Sequence, residues 1–167
     1  MIYQIFTTCL IFTFLSSCSP VSSSKRVSKE EVKKTFTMDQ DWLFWRGSDG
    51  SGVSKQTNLP DILSLDDESL LWSHEIQGGG VPVIAGGRAY QFGYYGVEEE
   101  LEEALVCFDA ASGEILWERT HSDFISDIVY NRYGVGAASV DPATGNVYFQ
   151  TSPGLLIGYD SDGNKLW

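Results

Sequence analysis

Few groups of residues in this sequence combine the types and spacing that chemistry requires. The most suggestive is Asp160-Ser161-Asp162-Gly163-Asn164, which places alternating oxygen ligands and a glycine as the first half of a calcium-binding loop does. Such a loop also needs a glutamate at its twelfth position, which would lie beyond Trp167, the last residue given. We therefore interpret the segment as a tight turn between two strands and predict no metal ligands in it.

The remaining candidates for chemistry are isolated. His74 and His121 have no catalytic neighbour that the sequence identifies, and Gly134-Val135-Gly136 precedes strand-like sequence, whereas a dinucleotide-binding motif opens a helix. The glutamates at positions 98–100, 102 and 103 could collect a cation, but a run of like charge is usually a solvated loop. We predict no catalytic, cofactor-binding or metal-binding residue in the sequence given, and an exposed hairpin tip over residues 94–103.

The charge of the chain argues against a nucleic-acid partner. The formal net charge is -12, and from Thr35 onward six Lys and Arg face 21 Asp and Glu. Duplex binding needs several cations on phosphates, so we predict no nucleic-acid binding. Cys107 stands in the apolar run Leu105-Val106-Cys107-Phe108, which indicates a buried, inert thiol and neither a disulfide nor a zinc ligand.

The first 35 residues have the organisation of an export signal followed by a tether. Residues 5–15 are an uncharged apolar stretch of signal-peptide length, and Leu15-Ser16-Ser17-Cys18 follows it. This ending resembles the lipobox of bacterial lipoproteins, which implies that residues 1–17 are a removed signal peptide and that Cys18 carries the lipid. Residues 18–35 are Ser-rich and basic, and because such sequence cannot bury a core we predict a flexible tether.

The leader also suggests a location. Ser19 follows the lipid-bearing Cys18, and by the sorting rule of well-studied Gram-negative lipoproteins this favours the outer membrane. We predict an exported protein, lipid-anchored to the cell envelope at the periplasmic face of the outer membrane, with the membrane and envelope proteins as partners. The residues before the apolar stretch contain no Lys or Arg, which departs from the family pattern. An ordinary signal peptide cut elsewhere is therefore the alternative.

Internal repetition organises the rest of the chain. Residues 87–117 and 145–167 contain, in the same order, a glycine turn, a strand with a tyrosine, an apolar strand ending in an aromatic residue and Asp, a second glycine turn and a short strand ending in Leu-Trp. A degenerate earlier copy ends in Leu70-Leu71-Trp72, so the tryptophans fall 45 and then 50 residues apart. This spacing, with several short strands in each unit, is the size of a four-stranded propeller blade.

The predicted fold is therefore all-β. We expect a β-propeller of four-stranded antiparallel blades over residues 36–167, with about two and a half blades present. The strands of the first full unit are placed at residues 81–84, 88–92, 104–108 and 115–118, and those of the second at residues 137–140, 146–150, 155–159 and 165–167. Gly86-Gly87, Thr144-Gly145-Asn146, Gly113 and Gly163 supply the positive φ angles for the turns between them.

The segment from Asp109 to Trp117 resembles a known repeat. Asp109-Ala110-Ala111-Ser112-Gly113-Glu114-Ile115-Leu116-Trp117 is similar to the repeat of pyrroloquinoline-quinone-type, or quinoprotein-like, propellers, in which Asp and Thr-Gly precede a Trp; Ser112 stands here for the Thr. Residues 42–54 also resemble the opening of exported propellers of this type. In such propellers the Trp packs on the neighbouring blade, and the Asp with the Thr or Ser closes the turn before it. The resemblance thus implies structural roles for Trp72, Asp109, Gly113, Trp117, Asp160, Gly163 and Trp167.

The number of repeats indicates whether the sequence can form a closed propeller by itself. Closed propellers need about four to eight blades, so two and a half units cannot close by themselves. We expect the sequence to be the N-terminal part of a longer propeller. The alternative is a chain that closes by association with copies of itself.

Two functions follow from the resemblance, and a third rests on aromatic residues. The first is a non-enzymatic, lipid-anchored binding or scaffold module, by analogy with the propeller lipoprotein of the outer-membrane β-barrel assembly machinery. The second is an alcohol or sugar dehydrogenase that uses pyrroloquinoline quinone (PQQ) and calcium; its vicinal Cys pair is absent from the sequence given, so no cofactor is assigned to this part. The third is a carbohydrate-binding propeller, suggested by Tyr94, Tyr95, Tyr130 and Tyr133.

Overall fold

The computed structural model describes residues 41–57, 59–62, 64–65, 70–122 and 133–167. The predicted signal peptide, the lipid-bearing Cys18 and the tether over residues 18–35 lie outside these residues. Tyr130 of the carbohydrate-binding hypothesis does as well. In the part of the chain described, no helix is long and apolar enough to cross a membrane.

The first blade is a complete four-stranded antiparallel sheet. Its strands are β1 (Val83–Ala85), β2 (Arg88–Tyr95), β3 (Glu102–Asp109) and β4 (Ile115–Ser122), and they lie side by side in chain order. Each strand therefore follows the previous one through a hairpin, as the short spacing of the glycine turns requires. The turn from β1 to β2 is Gly86-Gly87, where both residues have positive φ.

The second blade repeats this order with three strands. They are β5 (Ser139–Val140), β6 (Val147–Gln150) and β7 (Leu156–Tyr159), again antiparallel and in chain order. Lys165 forms a single bridge to Tyr159 at the outer edge of β7, at the position that β4 occupies in the first blade. The prediction of an all-β propeller-type fold with four-stranded antiparallel blades is confirmed, and residues 165–167 hold the fourth position by that bridge alone.

Three strands of the first blade, β2, β3 and β4, are longer than the sequence indicated, whereas β1 begins two residues later than predicted. The ladder between β2 and β3 runs from Arg88 opposite Asp109 to Tyr95 opposite Glu102. The exposed hairpin tip predicted over residues 94–103 is therefore wrong at both ends, and only the connection at residues 96–101, which contains the 3₁₀ turn Glu98–Glu100, lies outside the ladder. The glutamates of the turn are exposed, whereas Glu103 is completely buried.

The core of the molecule lies between the two blades. Alternate residues of each strand point to opposite faces of a sheet, so one face of the first blade packs against one face of the second. The first blade contributes Tyr90, Phe92, Leu105, Cys107 and Trp117, and the second contributes Val140, Val147, Phe149, Ile157 and Tyr159. Nearly all of these side chains are below 4% exposed. This shared core, together with hydrogen bonds across it, holds the blades together.

A short segment before the repeats joins the inner strands of both blades. Trp42 exchanges two backbone hydrogen bonds with Ile84 of β1, and the carbonyl of Leu43 accepts a hydrogen bond from the N–H of Val140 in β5. The Leu43 side chain is 1% exposed and belongs to the shared core. Residues 42–43 are thus positioned by both blades at once.

The opposite face of the first blade is covered by residues 70–77. Ala89, Ala104, Val106 and Phe108 form a small apolar cluster there, with Trp72 and Ile76 packed against it. Trp72 and Phe108 lie with their ring centroids 5.2 Å apart. This face is where a preceding blade would lie in a propeller, and the extended segment that carries Trp72 is all of that blade that the described residues contain.

Candidate functional site

The first repeat turn is closed by the carboxylate of Asp109. Its Oδ1 accepts hydrogen bonds from the N–H of Ala111 at 3.1 Å and from the N–H and the hydroxyl of Ser112, both at 2.9 Å. These donors favour the ionised carboxylate, so the bonds from Ser112, followed by that from Ala111, hold the pKa of Asp109 below its usual value. Gly113 completes the turn with a φ of 75°.

Trp72 packs on this turn from the preceding unit. Its indole N–H donates to the carbonyl of Ala110 at 3.0 Å. A Cβ placed on Gly113 would come within 2.5 Å of the Trp72 ring, so the position requires glycine for space as well as for φ. The turn therefore forms a socket for a tryptophan from the neighbouring unit.

The second repeat builds the same socket with different residues. Asp160 accepts the N–H groups of Asp162 and Asn164 and the side-chain amide of Asn164, all between 2.8 and 2.9 Å. The amide of Asn164 is the main cause of the lowered pKa of Asp160. Trp117 of the first blade donates its indole N–H to the carbonyl of Ser161 at 3.0 Å and lies against Gly163.

Trp167 occupies the corresponding place on the second blade. It stacks on Tyr148 with a centroid distance of 5.8 Å, where Trp117 contacts the corresponding Tyr90 at 5.9 Å with the two rings tilted by 55°. The Trp167 side chain is 55% exposed, whereas that of Trp117 is 7% exposed. Of the seven residues for which the resemblance implies structural roles, six thus lie in the two sockets, and Trp167 lies on Tyr148, with no socket for it among the described residues.

Two further acidic residues accept several hydrogen bonds on their carboxylates, and the sequence analysis assigned a structural role to neither of them. Asp141 caps the turn between β5 and β6, where its carboxylate accepts the Thr144 hydroxyl at 2.6 Å and the Ala143 N–H at 3.0 Å. The hydroxyl is the main cause of the lowered pKa of Asp141. The signal was present in the spacing of Asp141 and Thr144-Gly145, which matches that of Asp109 and Ser112-Gly113.

Glu103 is the second residue, and its position is unexpected for a member of a glutamate run. One carboxylate oxygen accepts the N–H of Gly134 at 3.0 Å, and the other accepts the N–H of Ser152 at 2.8 Å. The hydroxyl of Ser152 donates to the first oxygen as well. Glu103 belongs to the first blade, and its partners precede β5 and follow β6. The carboxylate therefore links the blades through three donors, which is how a buried charge is satisfied.

The residues considered for metal or acid–base chemistry either lie apart from one another or accept hydrogen bonds within their own turns. Among the described residues, no three His, Cys, Asp or Glu side chains come close enough together to hold a metal ion. The carboxylates of Asp109 and Asp160 are directed at backbone N–H groups of their own turns. Residues 160–164 thus form a repeat turn, with the Asp160 carboxylate directed at its own backbone N–H groups.

The histidines lie on opposite faces of the first blade. The Nε2 atom of His74 is 2.9 Å from the hydroxyl of Tyr95, and its ring meets the edge of Phe108. Burial and the carboxylate of Glu118 raise the pKa of Tyr95 to about 12, so the phenol stays protonated. His121 lies on the face toward the second blade, 3.2 Å from the Tyr159 hydroxyl.

The three described aromatic residues proposed for carbohydrate binding, Tyr94, Tyr95 and Tyr133, are not arranged as a platform. Tyr94 and Tyr133 are 6% and 3% exposed and pack edge to face with each other in a cluster with Leu101. A sugar needs an accessible ring face, so these two tyrosines are unavailable to it. Tyr95 is partly buried beside His74.

One groove on the surface does present accessible recognition side chains. It has a volume of about 460 Å³ and lies between the opening segment and the loop before β5, where it is lined by Phe44, Trp45, Arg46, Gly50, Val135, Gly136, Ala137 and Ser139. Trp45 and Val135 are 65% and 58% exposed. Arg46 donates to the carbonyl of Ser51 at 3.0 Å, which fixes the loop that carries Trp45. The groove is therefore lined mainly by apolar side chains and has the Arg46 guanidinium beside it.

Comparison with known proteins gives one family. Residues 61–167 match the family model described as outer membrane protein assembly factor BamB, a PQQ-repeat model. This match covers both blades and the segment that carries Trp72. No curated protein matches the chain.

Proposed function

Because the chain belongs to the PQQ-repeat propeller family described as outer membrane protein assembly factor BamB, we propose that it is a non-enzymatic binding or scaffold module of the cell envelope. The observation that carries the proposal is the groove beside Trp45, the exposed aromatic of the opening segment. The blades serve as the scaffold, and the loops at the groove make the contact with a partner.

The side chains at the groove are those that protein interfaces use. Trp and Arg are the residue types most enriched among side chains that carry binding energy. Trp45 is exposed on a turn whose backbone is fixed by hydrogen bonds from Gly47 to Phe44 and from Gly52 to Arg46. Because the backbone of the turn is already ordered, binding costs no additional backbone entropy there, and burial of Trp45 by a partner contributes more of its free energy to affinity.

The family description suggests the class of partner. Outer membrane protein assembly requires contacts between envelope proteins, and we propose that the groove takes part in such a contact. The acidic character of residues 35–167 favours a partner surface with basic residues around an apolar centre. Lipid attachment at Cys18 would hold the module at the membrane where that partner works, since two or more acyl chains give a stable anchor.

The groove is tested in cells of the native host. The gene is deleted and replaced by wild type, by Trp45→Ala, by Arg46→Ala or by Val53→Ala. Val53 is 69% exposed in the same segment but does not line the groove, so it is the matched control. We expect deletion and Trp45→Ala to lower the amount of folded β-barrel protein in the outer membrane, and wild type and Val53→Ala to restore it.

The outcomes separate the parts of the proposal. Unchanged barrel levels after deletion would contradict the assembly role. Full restoration by both Trp45→Ala and Arg46→Ala would show that recognition lies elsewhere on the propeller. The lipid anchor has its own measurement, because the intact mass of native protein should equal the chain from Cys18 plus acyl groups, and Cys18→Ser should release the protein from membranes.

A further inference from the structure

The chain that forms one wall of the groove crosses the first blade at a point where only glycines fit. Gly134 passes over β2 at Gly93, and a Cβ on Gly134 would lie 2.5 Å from the Cα of Gly93. Gly78 adjoins both, since a Cβ on it would lie 2.8 Å from the carbonyl oxygen of Gly134 and 3.3 Å from the Cα of Gly93. Backbones that approach so closely leave no room for a side chain. Direct backbone contact with β2 therefore sets the path of the chain at Gly134.

The carboxylate of Glu103 holds this crossing in place. It accepts the N–H of Gly134 at 3.0 Å, and both residues are buried. Glu103 lies in β3 opposite Tyr94, the residue that follows Gly93 in β2, so the carboxylate stands beside the crossing. A hydrogen bond to a charged acceptor is stronger than one between neutral groups, and burial strengthens it further. The N–H of Gly134 thus has one strongly favoured position.

Val135 is the first exposed side chain after the crossing. Tyr133 and Gly134 are buried, whereas Val135 is 58% exposed and lines the groove. Two residues further on, Ala137 forms a backbone bridge to Val81. Val135 therefore stands on a short arch that is fixed at both ends. Because it directly follows Gly134, any shift of the Gly134 N–H moves this side chain as well.

The opposite wall of the groove is held by other contacts. Trp45 lies in a turn closed by the backbone hydrogen bond from Gly47 to Phe44. The hydroxyl of Ser48 closes the same segment by donating to the carbonyl of Asp41. None of these hydrogen bonds involves Glu103 or the glycine crossing. The relative position of the two walls therefore depends on the crossing for one wall and on the opening segment for the other.

We propose that Glu103 is a positioning residue for the groove, and that its bond to Gly134 holds Val135 where a partner contacts Val135 and Trp45 together. This inference rests on the proposed function of the groove as a recognition surface. Glu103 does not touch the partner, because its side chain is completely buried. The partner segment is apolar where it enters the groove, since Phe44, Trp45 and Val135 line it.

Nuclear magnetic resonance of the full-length protein in detergent micelles tests the positioning without any partner. The variant is Glu103→Gln, and the control is Ser152→Ala, which removes another donor to the same carboxylate and leaves the Gly134 bond. The Gly134 amide should exchange at least about tenfold faster in Glu103→Gln, because a neutral acceptor replaces a charged one. The methyl resonances of Val135 should shift, whereas the indole N–H resonance of Trp45 should not. In Ser152→Ala both should keep their wild-type positions.

A second variant reaches the crossing from the other direction. Gly134→Ala keeps the Glu103 carboxylate but adds a Cβ against β2, so it should shift the same Val135 resonances. Unchanged Val135 resonances in both Glu103→Gln and Gly134→Ala would overturn the proposal. Equal shifts in Ser152→Ala and Glu103→Gln would also overturn it, because they would show a general loosening of the contact between the blades.

The link to recognition is tested in the deletion host, with variants that accumulate to equal amounts. Glu103→Gln should lower the level of folded β-barrel protein as Trp45→Ala does. If Trp45→Ala restores the wild-type level, the proposed function fails, and the resonances still decide whether Glu103 positions Val135. If Trp45→Ala lowers the level and Glu103→Gln does not, the partner does not need the Val135 wall, and the further inference fails alone.

Discussion

The indole ring of Trp117 lies so close to Gly163 that a Cβ atom added to this glycine would come within 2.7 Å of the ring. The two residues belong to different blades, and their contact is the tightest point of the socket that joins them. Gly113 has the same relationship to Trp72, at 2.5 Å. The repeat therefore stabilises the molecule mainly through contacts between units, as repeat architectures require.

Gly163→Ala should destabilise the protein by about 2–4 kcal/mol, because the substitution adds strain at a φ of 80° to crowding against an aromatic ring. The matched control is Gly87→Ala, where φ is 75° but no atom lies within 4 Å of the added Cβ. The control should lose only about 1 kcal/mol, the strain alone. Urea unfolding measures both, and equal losses would show that the ring contact contributes nothing.

Replacing each tryptophan by alanine should show that the two sockets contribute different amounts to the free energy of unfolding. Trp117→Ala removes a ring that is 7% exposed from the shared core and should cost about 3–5 kcal/mol of unfolding free energy. Trp72→Ala should cost less, since this ring is only partly buried and packs on one blade. Chemical denaturation of the two variants gives the comparison. A larger loss for Trp72→Ala would mean that the preceding blade is present in solution.

Glu103→Gln should weaken the contact between the blades. The carboxylate accepts three hydrogen bonds, whereas an amide has one acceptor oxygen and directs an NH₂ group at donors. A buried N–H left without its acceptor costs about 1–3 kcal/mol, and we expect a loss of this size. Glu99→Gln, in the exposed 3₁₀ turn, is the control and should be neutral. A thermal-unfolding difference near zero between the two variants would contradict the link.

Acid should destabilise the protein partly through its repeat turns. Hydrogen bonds lower the pKa values of Asp109, Asp141 and Asp160 below the ordinary 3.8. A carboxylate with a lowered folded-state pKa stabilises the fold above its unfolded-state value, and this stabilisation is lost as the pH falls through the lowered value. Replacing the three aspartates by Asn should therefore reduce the loss of stability below pH 3.8. The measurement is the urea midpoint of unfolding from pH 6 downward. If the triple variant loses as much stability at low pH as the wild type does, these carboxylates are not the cause of the acid destabilisation.

The repeat made most of the sheet predictable. The observed bounds of β6 and β7 lie within a residue or two of those predicted from the sequence, because turns that begin with Asp or contain Gly mark the strand ends. Turn chemistry is local, so it is readable without knowledge of the tertiary contacts. The opening segment was identified only by resemblance, and its pairing with both inner strands depends on contacts that no local pattern encodes.

Glu103 shows where reading the sequence by composition fails. Glutamates in a run of five are usually exposed to solvent, and the hairpin tip is predicted to be exposed for that reason. The signal that could have corrected this is the alternation of Glu103, Leu105 and Cys107, which places the carboxylate on the same face as two core residues. The donors that satisfy it come from Gly134 and Ser152, and a sequence of β repeats does not reveal that distant partnership.

The link from Leu43 to Val140 also has a kinetic consequence. These residues are far apart in the chain, yet their hydrogen bond and the burial of Leu43 tie the first described segment to the last blade. Loop closure over such a separation is slow compared with hairpin formation, so the blades should form before this tie does. A nascent chain would then have to emerge as far as β5 before its opening segment could dock. Until that moment the opening segment lacks its hydrogen bond to the second blade, and Leu43 lacks the core that buries it.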